Sequence, residues 1–473
     1  MKILMVASEA APFAKTGGLA DVVGSLPAAL QSLGHEVAVL LPRYRSVDLK
    51  IARRVYDALP VWLGIHRFDT TIYLIQQETP FYFVDCPPLY DRAGLYGEEG
   101  LDYPDNHIRF AVLAQAALAF SRYVFRPDIL HSHDWQAGLT PVYLRAFYAN
   151  DPTFAGISTL FTIHNLGYPG LFPASALQEI GLGDAGLFRP DGLEFYGKAG
   201  YLKAGLIFSD ALNTVSAAYA REIQTPEYGF GLDGVLRARA SVLTGILNGV
   251  DYAQWNPEID PFIAAHYSPG DLSGKAICKR ELLDEMGLPA EAVDAPLLGI
   301  VSRLTSQKGT DLISEAADHI VAQGYNMVAL GAGDPRDEDW FRAMAARHPG
   351  RIAVRIGYDN GLAHRIEAGA DLFLMPSRYE PGGLNQIYSL KYGTVPVVRA
   401  TGGLDDTIDL ETGFKFSPYS AGALLECLWV ARQVFADPPG WQAMMLAGMA
   451  KDYSWKASAA EYGRLYRRLG RLD

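Results

Sequence analysis

Five short segments hold the side chains best suited to chemistry. Lys15-Thr16-Gly17-Gly18 sets a mobile ammonium beside paired glycines, with Asp21 just beyond. Paired glycines that open a helix present free backbone N–H groups to an anion. The same pattern also serves as a turn that needs left-handed backbone. Arg303 and Lys308 flank Leu-Thr-Ser-Gln and precede Gly309. Two cations at such a turn neutralise a diphosphate and stabilise it as a leaving group, or are two solvated surface charges. Glu380-Pro381-Gly382-Gly383 offers a carboxylate at the mouth of a further helix. It can accept hydrogen bonds from sugar hydroxyls, stabilise positive charge at an anomeric carbon, or cap the helix.

Histidine marks the other two segments. His131-Ser132-His133 puts both rings on one face of a strand, but no further ligand set follows, so a metal centre is not expected. Asp134-Trp135 reads as a polar and aromatic pair for a sugar. His164, in Thr162-Ile163-His164-Asn165, is either a cleft residue or a structural one.

All five segments follow or end short apolar runs. Candidate strands span 2–7, 36–41, 81–85, 128–133, 159–164 and 211–215, then 297–302, 327–331, 352–356, 372–376 and 395–399. These runs are apolar throughout rather than alternating, which suits parallel strands covered on both faces. Leu19, Val22, Val23, Leu26, Leu30 and Leu33 recur at helical spacing before Gly34, which predicts a helix over 19–33. Each series builds one doubly wound α/β domain, the first over 1–250 and the second over 251–454, with a hinge near 250–252. Ligands favour the carboxyl ends of such strands. No G-x-G-x-x-G follows the first strand and no Walker A sequence occurs, so a dehydrogenase is disfavoured.

At about 150 residues per domain, 473 residues imply two to four domains. With 41 Lys plus Arg against 53 Asp plus Glu, the net charge is 41 − 53 = −12, which gives no global attraction for nucleic acid or an anionic membrane. A phosphate-bearing ligand then needs a local reversal of sign. Three cysteines without a C-x-x-C pair argue against a zinc clip and fit a reducing cytoplasm. No apolar run approaches the ~20 residues that span a bilayer.

Taken together, K-T-G-G-L-A-D-V (15–22), H-D-W-Q-A-G-L (133–139), T-I-H-N (162–165), N-G-V-D (248–251), S-R-L-T-x-Q-K-G (302–309) and E-P-G-G-L-N-Q (380–386) resemble bacterial glycogen synthases and plant starch synthases. So do K-Y-G-T-V-P-V-V-R-A-T-G-G-L (391–404) and the closing Tyr453-Ser-Trp-Lys. The resemblance implies a GT-B fold of two Rossmann-like domains facing a central cleft, with a helix over 455–473 returning to the first. It implies retaining transfer of glucose from ADP-glucose to the non-reducing 4-hydroxyl of an α-1,4-glucan, glycogen or a maltooligosaccharide, without metal or other cofactor.

Carried over position by position, His164, Arg303, Lys308 and Glu380 match catalytic positions. Lys15, Gly18, Asp21, Asn248, Tyr358, Gly383 and Leu384 match the donor site, with Tyr358 against the adenine and the N–H groups of Gly383 and Leu384 on the distal phosphate. Tyr96, Asp134 and Trp135 match the surroundings of the sugar and acceptor. Two departures stand out. Gly382 replaces the cysteine of the common E-P-C-G-L turn, and Tyr388 stands where many related transferases carry a second glutamate. UDP-glucose as donor, another acceptor, or a catalytically silent glucan-binding protein are the competing readings. Loss of Lys15, Arg303, Lys308 or Glu380 would mark the silent protein, and all four are present.

Overall fold

Strands that are apolar on both faces are stable only when helices cover both sides of the sheet. The computed structural model, which describes residues 1–98 and 100–470, contains two sheets built this way. The chain divides into two compact units, Met1–Gly249 with the segment from Trp455, and Val250–Ser454.

The first unit holds a nine-stranded sheet. Its strands are β1 (Lys2–Val6), β2 (Glu36–Pro42), β3 (Arg53–Leu63), β4 (His66–Gln76), β5 (Pro80–Asp85), β6 (Ile129–His133), β7 (Ser158–Ile163), β8 (Ala211–Thr214) and β9 (Leu243–Gly245). The order is β9-β8-β7-β6-β1-β2-β5-β4-β3. All pairs from β9 to β5 are parallel, while β4 and β3 run antiparallel at the edge. Helix α1 (Gly18–Ser32) starts and stops one residue before the predicted span, with Leu19, Val22, Val23, Leu26 and Leu30 all buried.

The β3–β4 hairpin was not expected. Its strands bury one face only, with mixed burial along each, so neither shows the unbroken apolar run by which the other strands are read.

The C-terminal helix, Trp455–Leu469, belongs to the first unit. Its stripe of Trp455, Ala459, Tyr462, Leu465, Tyr466 and Leu469 shares one buried cluster with Ile3, Met5, Leu19, Val22 and Leu26. Tyr462 Oη donates to Asn213 Oδ1 at 2.9 Å, and Ser458 Oγ donates to the carbonyl of Leu247 at 2.6 Å.

The second unit holds six parallel strands: β10 (Leu297–Val301), β11 (Asn326–Gly331), β12 (Ile352–Ile356), β13 (Leu372–Met375), β14 (Val395–Arg399) and β15 (Phe414–Phe416). The order is β12-β11-β10-β13-β14-β15, with α2 (Thr310–Ala322) after β10 and α3 (Asn385–Lys391) after β13. Buried Asp260 ties the irregular segment before this sheet to it, accepting from His364 Nδ1 at 2.8 Å and Tyr392 Oη at 2.5 Å. Among the described residues no helix is long and apolar enough to cross a membrane.

In both sheets the chain reverses its direction of winding beside the first strand, between β1 and β6 in one and between β10 and β13 in the other. The loops there diverge to opposite faces and leave a crevice.

Leu465 is 4% exposed, at the centre of the stripe. Leu465→Ala should therefore cost about 2–5 kcal/mol of stability, read by equilibrium urea unfolding. A loss under about 1 kcal/mol would show that the helix docks weakly.

Candidate active site

In the second unit, the loops after β10 and β13 bring two predicted residues into contact. Lys308 Nζ donates to Glu380 Oε2 at 2.6 Å, and Ser377 Oγ donates to the same oxygen at 2.9 Å. The Lys308 side chain is 18% exposed and that of Glu380 7%. An almost fully buried carboxylate is costly without such partners. Local glycines permit the approach. Gly309 has φ 76°, and a Cβ there would lie 2.1 Å from the Pro376 carbonyl oxygen. Gly402 has φ 47°, and a Cβ there would lie 2.0 Å from the Glu380 carbonyl oxygen.

Arg303 is exposed, and among the described residues no carboxylate pairs with it. Tyr358 is 88% exposed, so its ring face is available for stacking. Gly383 and Leu384 lie directly before α3, where backbone N–H groups lack intrahelical acceptors. Tyr388 stacks on Trp255 at 4.1 Å between centroids, and Trp255 stacks on His364 at 3.8 Å. The residue standing in for the second glutamate thus packs in a three-ring stack.

In the first unit, Lys15 Nζ pairs with Asp21 Oδ1 at 2.6 Å across the start of α1. Gly17 and Gly18 have no atom within 4 Å of where a Cβ would stand, so the helix N-terminus is open to a ligand. Glu9, which the sequence reading overlooked, lies under this loop and is 3% exposed. It accepts from the Thr16 N–H, from Thr16 Oγ1 at 2.6 Å and from the Gly17 N–H at 3.3 Å. Tyr96 Oη also donates to Glu9, and Ser8 Oγ lies 2.7 Å from that hydroxyl. The available signal was a charged residue three positions after an apolar strand.

The strand ends of β6 and β7 carry a buried histidine column. His131 and His133 rings lie 4.0 Å apart. His133 Nδ1 meets His164 Nε2 at 3.0 Å, while His131 bridges Tyr466 Oη at 2.9 Å and Thr162 Oγ1 at 2.6 Å. Burial pushes His131 and His164 down to about 3 and His133 well below its usual value, so all three rings are neutral near pH 7.

Asp134 turns the chain off β6 with φ 53°, a conformation few residues other than glycine hold. Its Oδ1 accepts the His164 N–H at 2.7 Å. Desolvation raises its carboxyl to about 7, against the opposing pull of the His164 and Asn165 N–H groups. Trp135 packs edge-on against Phe110 at 4.9 Å and against Phe172 at 5.7 Å, so much of its ring serves the core. Asn248 is 6% exposed, and its Oδ1 has no hydrogen-bond partner among the described residues.

The first unit therefore pairs Lys15, on the loop before α1, with Asp21 in the first turn of that helix, which Gly18 opens, sets Tyr96 on the carboxylate beneath, and joins Asp134 to His164. The second gathers Lys308 with Glu380. Arg303 and Tyr358 stand without such contacts. Among the described residues no group of three or more His, Cys, Asp or Glu is arranged to hold a metal ion, and all three cysteines are free and buried.

Two Rossmann-like units, with a terminal helix returning to the first, make the GT-B architecture of glycosyltransferases. Residues 2–238 match the family model for the starch synthase catalytic domain, and residues 289–428 match that for glycosyl transferases group 1. The chain is 51% identical to a glycogen synthase of Anaeromyxobacter dehalogenans, over 99% of this chain and 100% of that one. It is 48% identical to the Myxococcus xanthus glycogen synthase, over 98% and 99%. The catalytic domain of Arabidopsis thaliana starch synthase IV, solved with ADP and acarbose, superposes with a TM-score of 0.90 at 32% identity, covering 99% of each chain. This chain belongs to the bacterial glycogen synthase family.

Asp134 supplies a pH test of this corner. With its folded pKa raised to about 7 above an unfolded value of 3.8, its contribution to stability is full below about pH 4. That contribution falls as pH rises through about 7. Asp134→Asn should thus gain stability over the wild type progressively between pH 4 and 8. A difference that stays flat in thermal unfolding across that range would place the carboxyl in solvent.

Proposed function

We propose that the chain transfers glucose from ADP-glucose to the non-reducing 4-hydroxyl of an α-1,4-glucan with retention of configuration. The observation that carries this reading is the ion pair of Lys308 and Glu380 at the switch point of the second sheet, with Arg303 on the same loop. That set combines leaving-group stabilisation with a carboxylate for the sugar. The ADP and acarbose held by the starch synthase IV relative support both ligand classes.

In this reading Arg303 and Lys308 neutralise the departing diphosphate. Lys308 has three donors and spends one on Glu380, which leaves others for phosphate. Glu380 stabilises positive charge as the glucosyl group passes through an oxocarbenium-like state, and the acceptor attacks from the face the leaving group vacates. His164 is neutral and orients the sugar through hydrogen bonds without adding repulsion to that cationic state. Asn248 Oδ1 takes a donor from a sugar hydroxyl, satisfying a buried acceptor that otherwise costs about 1–3 kcal/mol. Lys15, Gly18 and Asp21 hold the nucleotide-sugar from the first unit, and Tyr358 stacks on the adenine. Gly383 and Leu384 give N–H groups to the distal phosphate. Tyr96, Asp134 and Trp135 shape the sugar and acceptor region.

The two cations separate in their side effects. Arg303→Ala and Lys308→Ala should each lower kcat about 10²–10³-fold, the usual effect of removing one preorganised charge contact. Only Lys308→Ala should also lower the melting temperature, because it strands Glu380. Arg303→Ala with unchanged kcat would remove that residue from the mechanism.

Glu380→Gln keeps the size and loses the charge, so donor binding should persist while transfer falls sharply. Isothermal titration with ADP-glucose and a glycogen-primed assay read the two parts separately, and near-normal turnover would reduce Glu380 to a structural role. The same assay with UDP-glucose tests the donor. A higher kcat/KM with UDP-glucose would overturn the adenine assignment.

A further inference from the structure

Glu9 is a buried carboxylate in a chain that already carries excess negative charge, and it lies beneath the loop that receives an anion in the reading above. On charge alone that placement is unfavourable. Its surroundings account for it. Every group hydrogen-bonded to the carboxylate donates: the Thr16 N–H and Oγ1, the Gly17 N–H, and Tyr96 Oη. Because Tyr96 spends its proton on Glu9, the 2.7 Å contact with Ser8 is made by the Ser8 hydroxyl donating to Tyr96.

This pattern divides the backbone amides at the start of α1. Glu9 takes the N–H groups of Thr16 and Gly17, turning them inward. The next two, Gly18 and Leu19, belong to the first turn of the helix and have no intrahelical acceptor. A Cβ at Gly17 or Gly18 would meet no atom within 4 Å, so the chain beside these two amides is uncrowded. The same carboxylate fixes Tyr96, whose loop is held by Asn106 Nδ2 to the Tyr96 carbonyl at 2.9 Å and by Arg109 to the Leu95 carbonyl at 2.9 Å. One side chain therefore sets the loop that bears Lys15 and the ring placed beside the sugar.

We propose that Glu9 is a positioning residue, one that orients the Lys15–Gly18 loop and Tyr96 as a unit so that the Gly18 and Leu19 amides meet the phosphate of the nucleotide-sugar. The inference rests on the donor assignment made above. Glu9 acts through its neighbours and contacts no substrate. A glutamine here keeps one acceptor but turns an NH₂ group toward donors, so the loop loses its fixed orientation.

The test uses the full chain with glycogen primer and ADP-glucose. Glu9→Gln should lower kcat/KM for ADP-glucose about 10²-fold, the size of effect that a misplacement of about 1 Å produces. Thr16→Val lies at the exposed loop and removes one donor to Glu9 without opening the core. It should lower kcat/KM about three- to tenfold, the equivalent of one hydrogen bond, with only a small drop in melting temperature because three donors to Glu9 remain. In the Glu9→Gln background Thr16→Val should add almost nothing to the loss of kcat/KM, because both act through one contact; losses that multiply would mean the two side chains act independently and would overturn the proposal. If Glu9→Gln fails to fold, the Thr16→Val variant decides alone, and an unchanged kcat/KM overturns the proposal. A folded Glu9→Gln with wild-type kcat/KM overturns it too, while the functional reading stands. A wild-type protein inactive with both ADP-glucose and UDP-glucose overturns the functional reading, and this proposal with it.

Discussion

The pairing of Lys308 with Glu380 is the constraint on which the candidate site depends. Burying a carboxylate to 7% exposure is costly unless a cation and hydrogen-bond donors meet it. The two residues lie 72 positions apart, and they meet because β10 and β13 are neighbours at the reversal of the sheet. Gly309 and Gly402 then let the two backbones close to distances that any side chain would block. Strand order, glycine placement and charge pairing are thus one arrangement seen at three scales.

The same logic recurs in the first unit with different groups. Its reversal lies between β1 and β6, and the glycine loop and Asp134 follow those two strands. Here a carboxylate, Glu9, is compensated by backbone amides and hydroxyls instead of a lysine. In a chain of net charge −12, an anionic ligand needs places where cations and helix N-termini locally reverse the sign. Arg303 is exposed and has no carboxylate partner among the described residues, so its charge is left uncompensated within the protein. The histidine column adds rigidity without charge, and through Tyr466 it joins the C-terminal helix to the strand ends.

Much of this was legible in the sequence, for physical reasons that also explain the rest. Parallel strands covered on both faces are unbroken apolar runs, so their ends, and the loops that carry Lys15, Arg303 and Glu380, stand out against helix-forming spacing. The hairpin of Arg53–Leu63 and His66–Gln76 buries one face only and left no such run. The return of the C-terminal helix to the first unit came from the family resemblance alone; the buried cluster of Tyr462, Leu465 and Tyr466 with Ile3 and Leu19 gives its physical basis. Glu9 was passed over because a lone acid after a strand reads as solvated, and only its four donors reveal otherwise. Tyr388 was read as a missing carboxylate, whereas its stack on Trp255 shows what it contributes instead.

The most direct test of the account is whether Lys308 and Glu380 act as one unit in turnover. A double-mutant cycle of Lys308→Ala and Glu380→Gln, read as kcat/KM for ADP-glucose at saturating glycogen, isolates their coupling. The account predicts that the double variant falls short of the product of the single losses by about tenfold or more. Losses that multiply in full would contradict it, and would mean that the two side chains contribute independently despite their contact.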